Sequence, residues 1–224
     1  MRIRTHFPAF VLAALLLLSV GAPTSHALQL GSREAPDWIE RLERQDRVSG
    51  LKVDEILSRL QLKPGMVVAD IGAGSGIFST RFAKAVGSSG KVYAVDIEEG
   101  LLDHINQLAK QQNVSNIRTV LGKFDDPSIP AKDVDMAFIH DVLHHIEHRE
   151  AYLKALATYI KPGGMLTIID MDPSDPNTAH KDDPTLLVSR ADADKWMAAA
   201  GFHPAKVHSD LFPGTKYFVI YQKH

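Results

Sequence analysis

The stretch Met66 to Ser79, M-V-V-A-D-I-G-A-G-S-G-I-F-S, constrains this chain more than any other. Met66 to Ile71 is a short apolar run rich in β-branched residues, with Pro64-Gly65 before it and glycines after, which predicts a buried parallel strand. Asp70 sits near its carboxyl end, and Gly72, Gly74 and Gly76 follow at every second position. From Ile77 the period changes: Phe78, Phe82 and Val86 recur every four residues, as on a helix. Strand, glycine turn and helix together are expected to bring bare backbone N–H groups and a helix N-terminus to a ligand across the strand end.

The spacing narrows the ligand. A dinucleotide fingerprint, G-x-G-x-x-G, needs its third glycine at position 77, where the chain has Ile77. The pattern present is D-x-G-x-G-x-G. It resembles motif I of the class I S-adenosylmethionine-dependent methyltransferases. In that family the loop passes under the methionine part and ribose of the cofactor and binds no phosphate. The resemblance implies that Asp70, Gly72, Gly74 and Gly76 belong to a site for S-adenosyl-L-methionine.

Composition fits an ordinary globular chain. Of 224 residues 45% are hydrophobic and 23% charged, with a formal net charge of −2. No basic patch appears, so nucleic acid and anionic membrane surfaces are not expected partners. The first 27 residues stand apart. Arg2 and Arg4 precede an apolar run from Phe10 to Val20, and Ser25-His26-Ala27 supplies small residues at a cleavage site. This reads as a secretory signal peptide, with the mature chain starting at Leu28 and exported to the periplasm or beyond. The alternative is an uncleaved anchor, although the run is shorter than the roughly 20 residues of a spanning helix. The chain has no cysteine, which excludes disulfides, a lipoprotein anchor and thiolate metal ligation.

The remainder reads as one α/β domain over 28–224. Residues 28–63 are expected to form helices, over Pro36 to Gln45 and around Val53 to Leu60, with a turn near Ser49-Gly50. In the resembled family such helices fold over the cofactor. Residues 64–224 are the core. Lys91 to Val95 is a second strand ending in Asp96, roughly 20 residues beyond the glycines, where a carboxylate accepts both hydroxyls of a ribose. Asp96 also suits an N-cap for the helix near Glu98, and the two roles are compatible. Ile97 follows it and joins the expected cofactor contacts.

Ile117 to Leu121 is a third strand, followed by Gly122-Lys123-Phe124-Asp125. Many members of the resembled family carry an acidic residue where this chain has Lys123. The adenine contact then falls to the backbone of Lys123 and Phe124 or to Asp125, with the Phe124 ring available to the purine. Asp133 to Ile139 is a fourth strand leading into His140-Asp141-Val142-Leu143-His144-His145-Ile146. This resembles motif IV of the small-molecule methyltransferases. A helix from Glu147 to Ile160, a turn at Lys161-Pro162-Gly163-Gly164 and a strand from Met165 to Asp170 complete a third family hallmark. Asp172 to Pro184 is a polar stretch without period, either a substrate-side loop or a disordered crossing. A helix from Ser189 to Gly201 and two closing strands end the chain. The resemblance implies a three-layer, Rossmann-like seven-stranded sheet, mostly parallel with an antiparallel C-terminal strand.

Methyl transfer from a sulfonium is a one-step in-line displacement, so the protein mainly supplies proximity and orientation. His140 and Asp141 are expected where cofactor and a small-molecule acceptor meet, with His144 the candidate base because imidazole titrates near neutrality. His144 and His148 are four apart with Glu147 between, and His180 and Asp182 could join them. The pattern is not H-E-x-x-H, and no metal is expected. A competing reading keeps the fold and a nucleoside ligand without catalysis, since an exported protein leaves the cytoplasmic supply of the cofactor.

Overall fold

The computed structural model describes residues 34–224. The expected leader, 1–27, lies outside the described residues. The seven strands are β1 Val67–Ile71, β2 Lys91–Asp96, β3 Ile117–Leu121, β4 Val134–His140, β5 Ile160–Met171, β6 Phe202–Val207 and β7 Lys216–Lys223. They form one sheet in the order β3-β2-β1-β4-β5-β7-β6. Only β7 runs against its neighbours, pairing antiparallel with both β5 and β6. The expected mostly parallel sheet with an antiparallel closing strand is therefore present.

Strand alternation builds the layers. In β1 and β4, Val68, Met136 and Phe138 point to one face, where they join Ile56, Leu60, Phe78, Phe82 and Val86. Ala69, Ile71, Ala137 and Ile139 point to the other, against Leu153, Leu156, Ala193 and Met197. The first face is covered by α3 (Val53–Leu60), α4 (Ile77–Val86) and α5 (Glu99–Gln111), the second by α6 (Arg149–Ala157) and α7 (Arg190–Ala199). Phe82 and Phe138 are fully buried and meet edge to face with centroids 5.0 Å apart. Truncating either would cost about 3–5 kcal/mol.

The N-terminal segment departs from expectation at the turn near Ser49-Gly50. After α1 (Ala35–Glu43) a second short helix, α2, spans Gln45–Gly50. The Ser49 hydroxyl donates to the Gln45 carbonyl at 2.9 Å, so the residue that suggests a turn sits inside a helical one. Between α1 and α5, Glu43 meets His104 at 2.8 Å, and the Gly100 backbone comes up against Ala35.

Two further boundaries differ. The Lys161-Pro162-Gly163-Gly164 turn is an interruption within β5: Ile160 pairs with Val134, and Met165 pairs with Met136. The sheet resumes across it because Gly163 takes a φ of 74°. The helix expected from Glu147 is split. A 3₁₀ turn covers Leu143–His145, and α6 begins only at Arg149. The Arg149 guanidinium donates to the carbonyls of Leu143 and His144, holding that turn in place. The same side chain also donates to the Thr185 carbonyl, tying the turn to the 184–186 segment. The stretch after β5 is a series of turns ending in a 3₁₀ turn at Pro184–Leu186, which Asp183 caps. Among the described residues no helix is long and apolar enough to cross a membrane.

Candidate active site

The glycine loop leaves β1 under tight constraint. The amides of Gly72 and Ala73 both donate to the Val95 carbonyl, at 2.8 and 2.9 Å, and Gly76 donates to Ala73. The amide of Gly74 donates to a carboxylate oxygen of Asp96 at 2.8 Å. These four N–H groups are taken up by the end of β2 and by the loop itself, and so are not offered to a ligand. Gly72 and Gly76 are needed for space as well as for φ values of 68° and 82°. A Cβ on Gly72 would lie 2.4 Å from Val142, and one on Gly76 would lie 2.8 Å from Ile105.

Beside this loop, across the carboxyl ends of β1, β2 and β4, lies a cavity of about 260 Å³. That is where open α/β sheets bind ligands. Gly72, Gly74, Asp96 and Ile97 line it, together with Lys123 and Phe124 from the turn after β3 and Asp141 from the turn after β4. Trp38 and Leu42 of α1 line it too, so the N-terminal helix packs over the crevice. Phe124 is 58% exposed, a large ring at the rim rather than in the core.

Asp96 is buried and fixed. One oxygen takes the Gly74 amide and the other takes the Glu98 amide at 3.1 Å. The second bond is a local turn, and the N-cap position itself is Glu98, which caps through no side chain. Each carboxylate oxygen has a second lone pair, so Asp96 keeps the capacity to accept from a ligand. Burial raises its pKa, against the amide bonds that lower it.

The other expected residues divide. Asp70 does not reach the cavity. It is buried beneath the loop and accepts the Ser79 hydroxyl at 2.5 Å. Burial pushes its pKa up to about 7, which that hydrogen bond only partly offsets. Gly76 lies behind the cavity as the N-cap of α4. His140 is not on the cavity wall either. Its ring packs against Phe78 and Phe138, with centroids 5.1 and 6.1 Å away, and burial drops its pKa to about 4. At neutral pH it is uncharged.

Asp141 is on the wall, at a left-handed φ of 55°. Its two oxygens accept from the Lys216 ammonium at 2.6 and 2.8 Å. Burial would raise its pKa, but His140 and Lys216 overcome this and hold it at about 2. Lys216 opens β7, and no motif signals it.

His144 is buried behind the wall. Its Nδ1 lies 2.7 Å from Asp170, whose carboxylate also accepts the His144 and Met171 amides. A carboxylate only accepts, so Nδ1 carries the hydrogen, and in the neutral ring the lone pair is then on Nε2. Its neighbour His145 is the histidine that lines the cavity. His180 folds back from the turns after β5, its ring 5.1 Å from His144 and 5.6 Å from His145. Burial and the nearby His144 lower the His180 pKa. His148, four residues after His144, is exposed at the start of α6 and outside this cluster. Sequence reasoning placed both histidines at the strand end and preferred His144 to His145, because adjacent histidines carry no facing information until the turn is known.

The fold has counterparts. A family profile described as "Methyltransferase domain" matches residues 62–204. Among curated proteins, a demethylmenaquinone methyltransferase of Geobacillus sp. strain WCH70 is 24% identical over 117 residues, 52% of this chain and 50% of that protein. A ubiquinone/menaquinone biosynthesis C-methyltransferase UbiE of Hydrogenovibrio crunogenus is 26% identical over 110 residues, 49% and 43% of the two chains. The chain spans about half the length of the curated relatives it matches. A crystal structure of a SAM dependent methyltransferase from Aquifex aeolicus shares the fold with a TM-score of 0.74 at 22% identity, covering 86% of this chain and 100% of that one. Magnesium protoporphyrin IX methyltransferase ChlM from Synechocystis PCC 6803, solved with bound SAM, has a TM-score of 0.61 at 21% identity over 82% and 84%. The profile covers the glycine loop, Asp96, the histidine turn and α7, and by that match the chain belongs to the methyltransferase domain family.

Proposed function

We propose that the protein transfers a methyl group from S-adenosyl-L-methionine to a small molecule. The observation that carries this reading is the loop–carboxylate pair at the crevice. The Gly72–Gly76 turn is pinned to the end of β2 through the Gly72, Ala73 and Gly74 amides, and Asp96 stands beside it as an acceptor for a sugar's hydroxyls. With Ile77 where a dinucleotide loop has its third glycine, this pair suits a nucleoside without a pyrophosphate.

On this reading Asp96 takes the ribose, while Ile97, Lys123 and Phe124 border the base. Asp141 and His145 stand where methyl donor and acceptor meet. S-adenosyl-L-methionine brings the activated methyl group, and the chain's part is to hold the two reactants in line and keep water out. Asp141 is ionised at neutral pH, so its negative charge faces the cationic end of the donor. His144 does not line the crevice, and proton removal from an acceptor falls instead to His145. The likeness to quinone-precursor methyltransferases over half their length supports a small acceptor and leaves its identity open. The reading also includes export of the mature chain from Leu28, supported by the amino-terminal pattern alone.

Calorimetry with S-adenosyl-L-methionine, its demethylated product and NAD tests the reading. Saturable binding of the first two and none of NAD supports it, and methyl transfer from labelled donor to an extract of small metabolites completes it. Binding without transfer to any acceptor would favour a non-catalytic nucleoside-binding protein. Absence of binding would overturn both.

A further inference from the structure

We propose that His144, His145 and His180 form a binding site for a late first-row divalent metal ion at the edge of the crevice. Each residue offers one ring nitrogen, and the three nitrogens lie within 4.8 Å of one another. They come from two separate segments, the turn after β4 and the turns after β5, which only the fold brings together. Four-coordinate zinc, with metal–nitrogen bonds of about 2.05 Å, needs nitrogens roughly 3.3 Å apart. Closing the gap takes movements on the order of 1 Å, within reach of the two half-buried side chains, His145 and His180.

A second, independent feature points the same way. His144 is held by Asp170, a fully buried carboxylate 2.7 Å from Nδ1 that is itself fixed by two backbone amides. That contact orients the ring and, in the neutral imidazole, sets the tautomer that puts the lone pair on Nε2. It is the carboxylate–histidine arrangement that supports metal-ligating imidazoles elsewhere. Arg149 braces both segments at once, through the His144 and Thr185 carbonyls. Three neutral imidazoles suit zinc, copper or nickel rather than magnesium or calcium, which require oxygen ligands.

Three protein ligands leave a coordination position open. His145 lines the crevice, so the ion adjoins the space assigned to the acceptor. With the ion bound it would take an oxygen or nitrogen donor atom of that molecule and lower its pKa, in place of proton removal by His145, whose nitrogen the ion then holds; that step rests on the proposed methyl transfer. The ion site itself does not. It replaces the expectation of no metal, which weighed His148 where the fold supplies His145.

Tag-free protein, stripped with a chelator, is titrated with Co²⁺ followed by visible absorption, and Zn²⁺ is then used to displace it. The expected result is one equivalent of Co²⁺ per chain with the intense absorption of a low-coordinate site, bleached by one equivalent of Zn²⁺. His180→Ala and His145→Ala should each weaken binding more than tenfold, and Asp170→Asn about 10–100-fold. His148→Ala should leave it unchanged. So should His203→Ala, which breaks the stacked His203–His224 pair at the far edge of the sheet. Thermal melting of each variant establishes that it is folded. Absence of a saturable one-to-one complex overturns the proposal, as does binding that survives in the His145→Ala/His180→Ala double variant. Calorimetry with the demethylated cofactor runs in parallel. Its failure with metal binding intact counts against the methyl-transfer reading and not against the ion site.

Discussion

The ammonium of Lys216, at the start of the last strand, reaches both carboxylate oxygens of Asp141, 75 residues earlier in the chain. Both side chains are largely shielded, at 19% and 22% exposure, so solvent weakens the pair only partly. The contact fixes the one anionic side chain that the turn after β4 presents to the crevice, and does so across β5.

Removing that partner has two expected consequences. Lys216→Met should lower stability at pH 7 by about 2 kcal/mol, because Asp141 keeps its charge without its counter-ion. In the parent the Asp141 pKa is depressed to about 2, so its contribution is complete above the ordinary carboxylate range near 4 and disappears as pH falls from there towards 2. Urea midpoints at pH 7 and pH 3 should therefore differ less in the variant than in the parent. Identical pH dependence in the two proteins would remove the pair from the stability account.

Asp70 should behave in the opposite sense. Its folded-state pKa is raised to about 7 by burial, so the folded protein holds a proton there that the unfolded chain releases near 4. Stability from this group is complete below about pH 4 and is lost as pH rises through 7. The full loss is ~4 kcal/mol for a shift of this size. Asp70→Asn keeps an acceptor for the Ser79 hydroxyl without the charge. Its melting temperature should exceed that of the parent at pH 8 and approach it at pH 5.

Asp96 carries the ligand claim. Asp96→Asn removes the charge that would take two ribose hydroxyls, and binding of the demethylated cofactor should weaken about 10–100-fold. The carboxylate also accepts the Gly74 and Glu98 amides, so a loss of thermal stability is expected alongside. Calorimetry on folded variant protein separates the two. Affinity within twofold of the parent would deny Asp96 the ribose.

Gly72 tests the loop itself. An alanine there would place its Cβ 2.4 Å from a Val142 methyl while holding a left-handed φ of 68°. Gly72→Ala should cost about 2–4 kcal/mol, the sum of overpacking and backbone strain. Adding Val142→Ala should recover the packing part and leave the strain, about 1–2 kcal/mol. Full recovery in the double variant would mean that space alone demands this glycine. Denaturant unfolding of the four proteins in the cycle provides the measurement.

Strands and helices were legible in the sequence, because burial and the change of period are written locally, while the arrangement of the sheet came from the family resemblance. Val67–Ile71, Gly72–Gly76, Phe78–Val86 and Asp96 could be placed without coordinates, since each depends on neighbours within a few residues or on a fixed offset between two strand ends. Boundaries that depend on distant partners escaped. The helix after His145 starts late because Asp170 and Arg149 capture the preceding turn, and the Lys161–Gly164 turn lies within β5 because Val134 continues to pair with Ile160. The roles of the site residues escaped for the same reason. Asp70 and His140 sit at strand ends like Asp96 and Asp141, yet point into packed layers, and a strand's register in the sheet decides which of two adjacent side chains meets the crevice. Only the tertiary structure paired Asp141 with Lys216, hid His144 behind His145 and brought His180 to both, because those contacts join segments whose separation along the chain carries no trace of their distance in space.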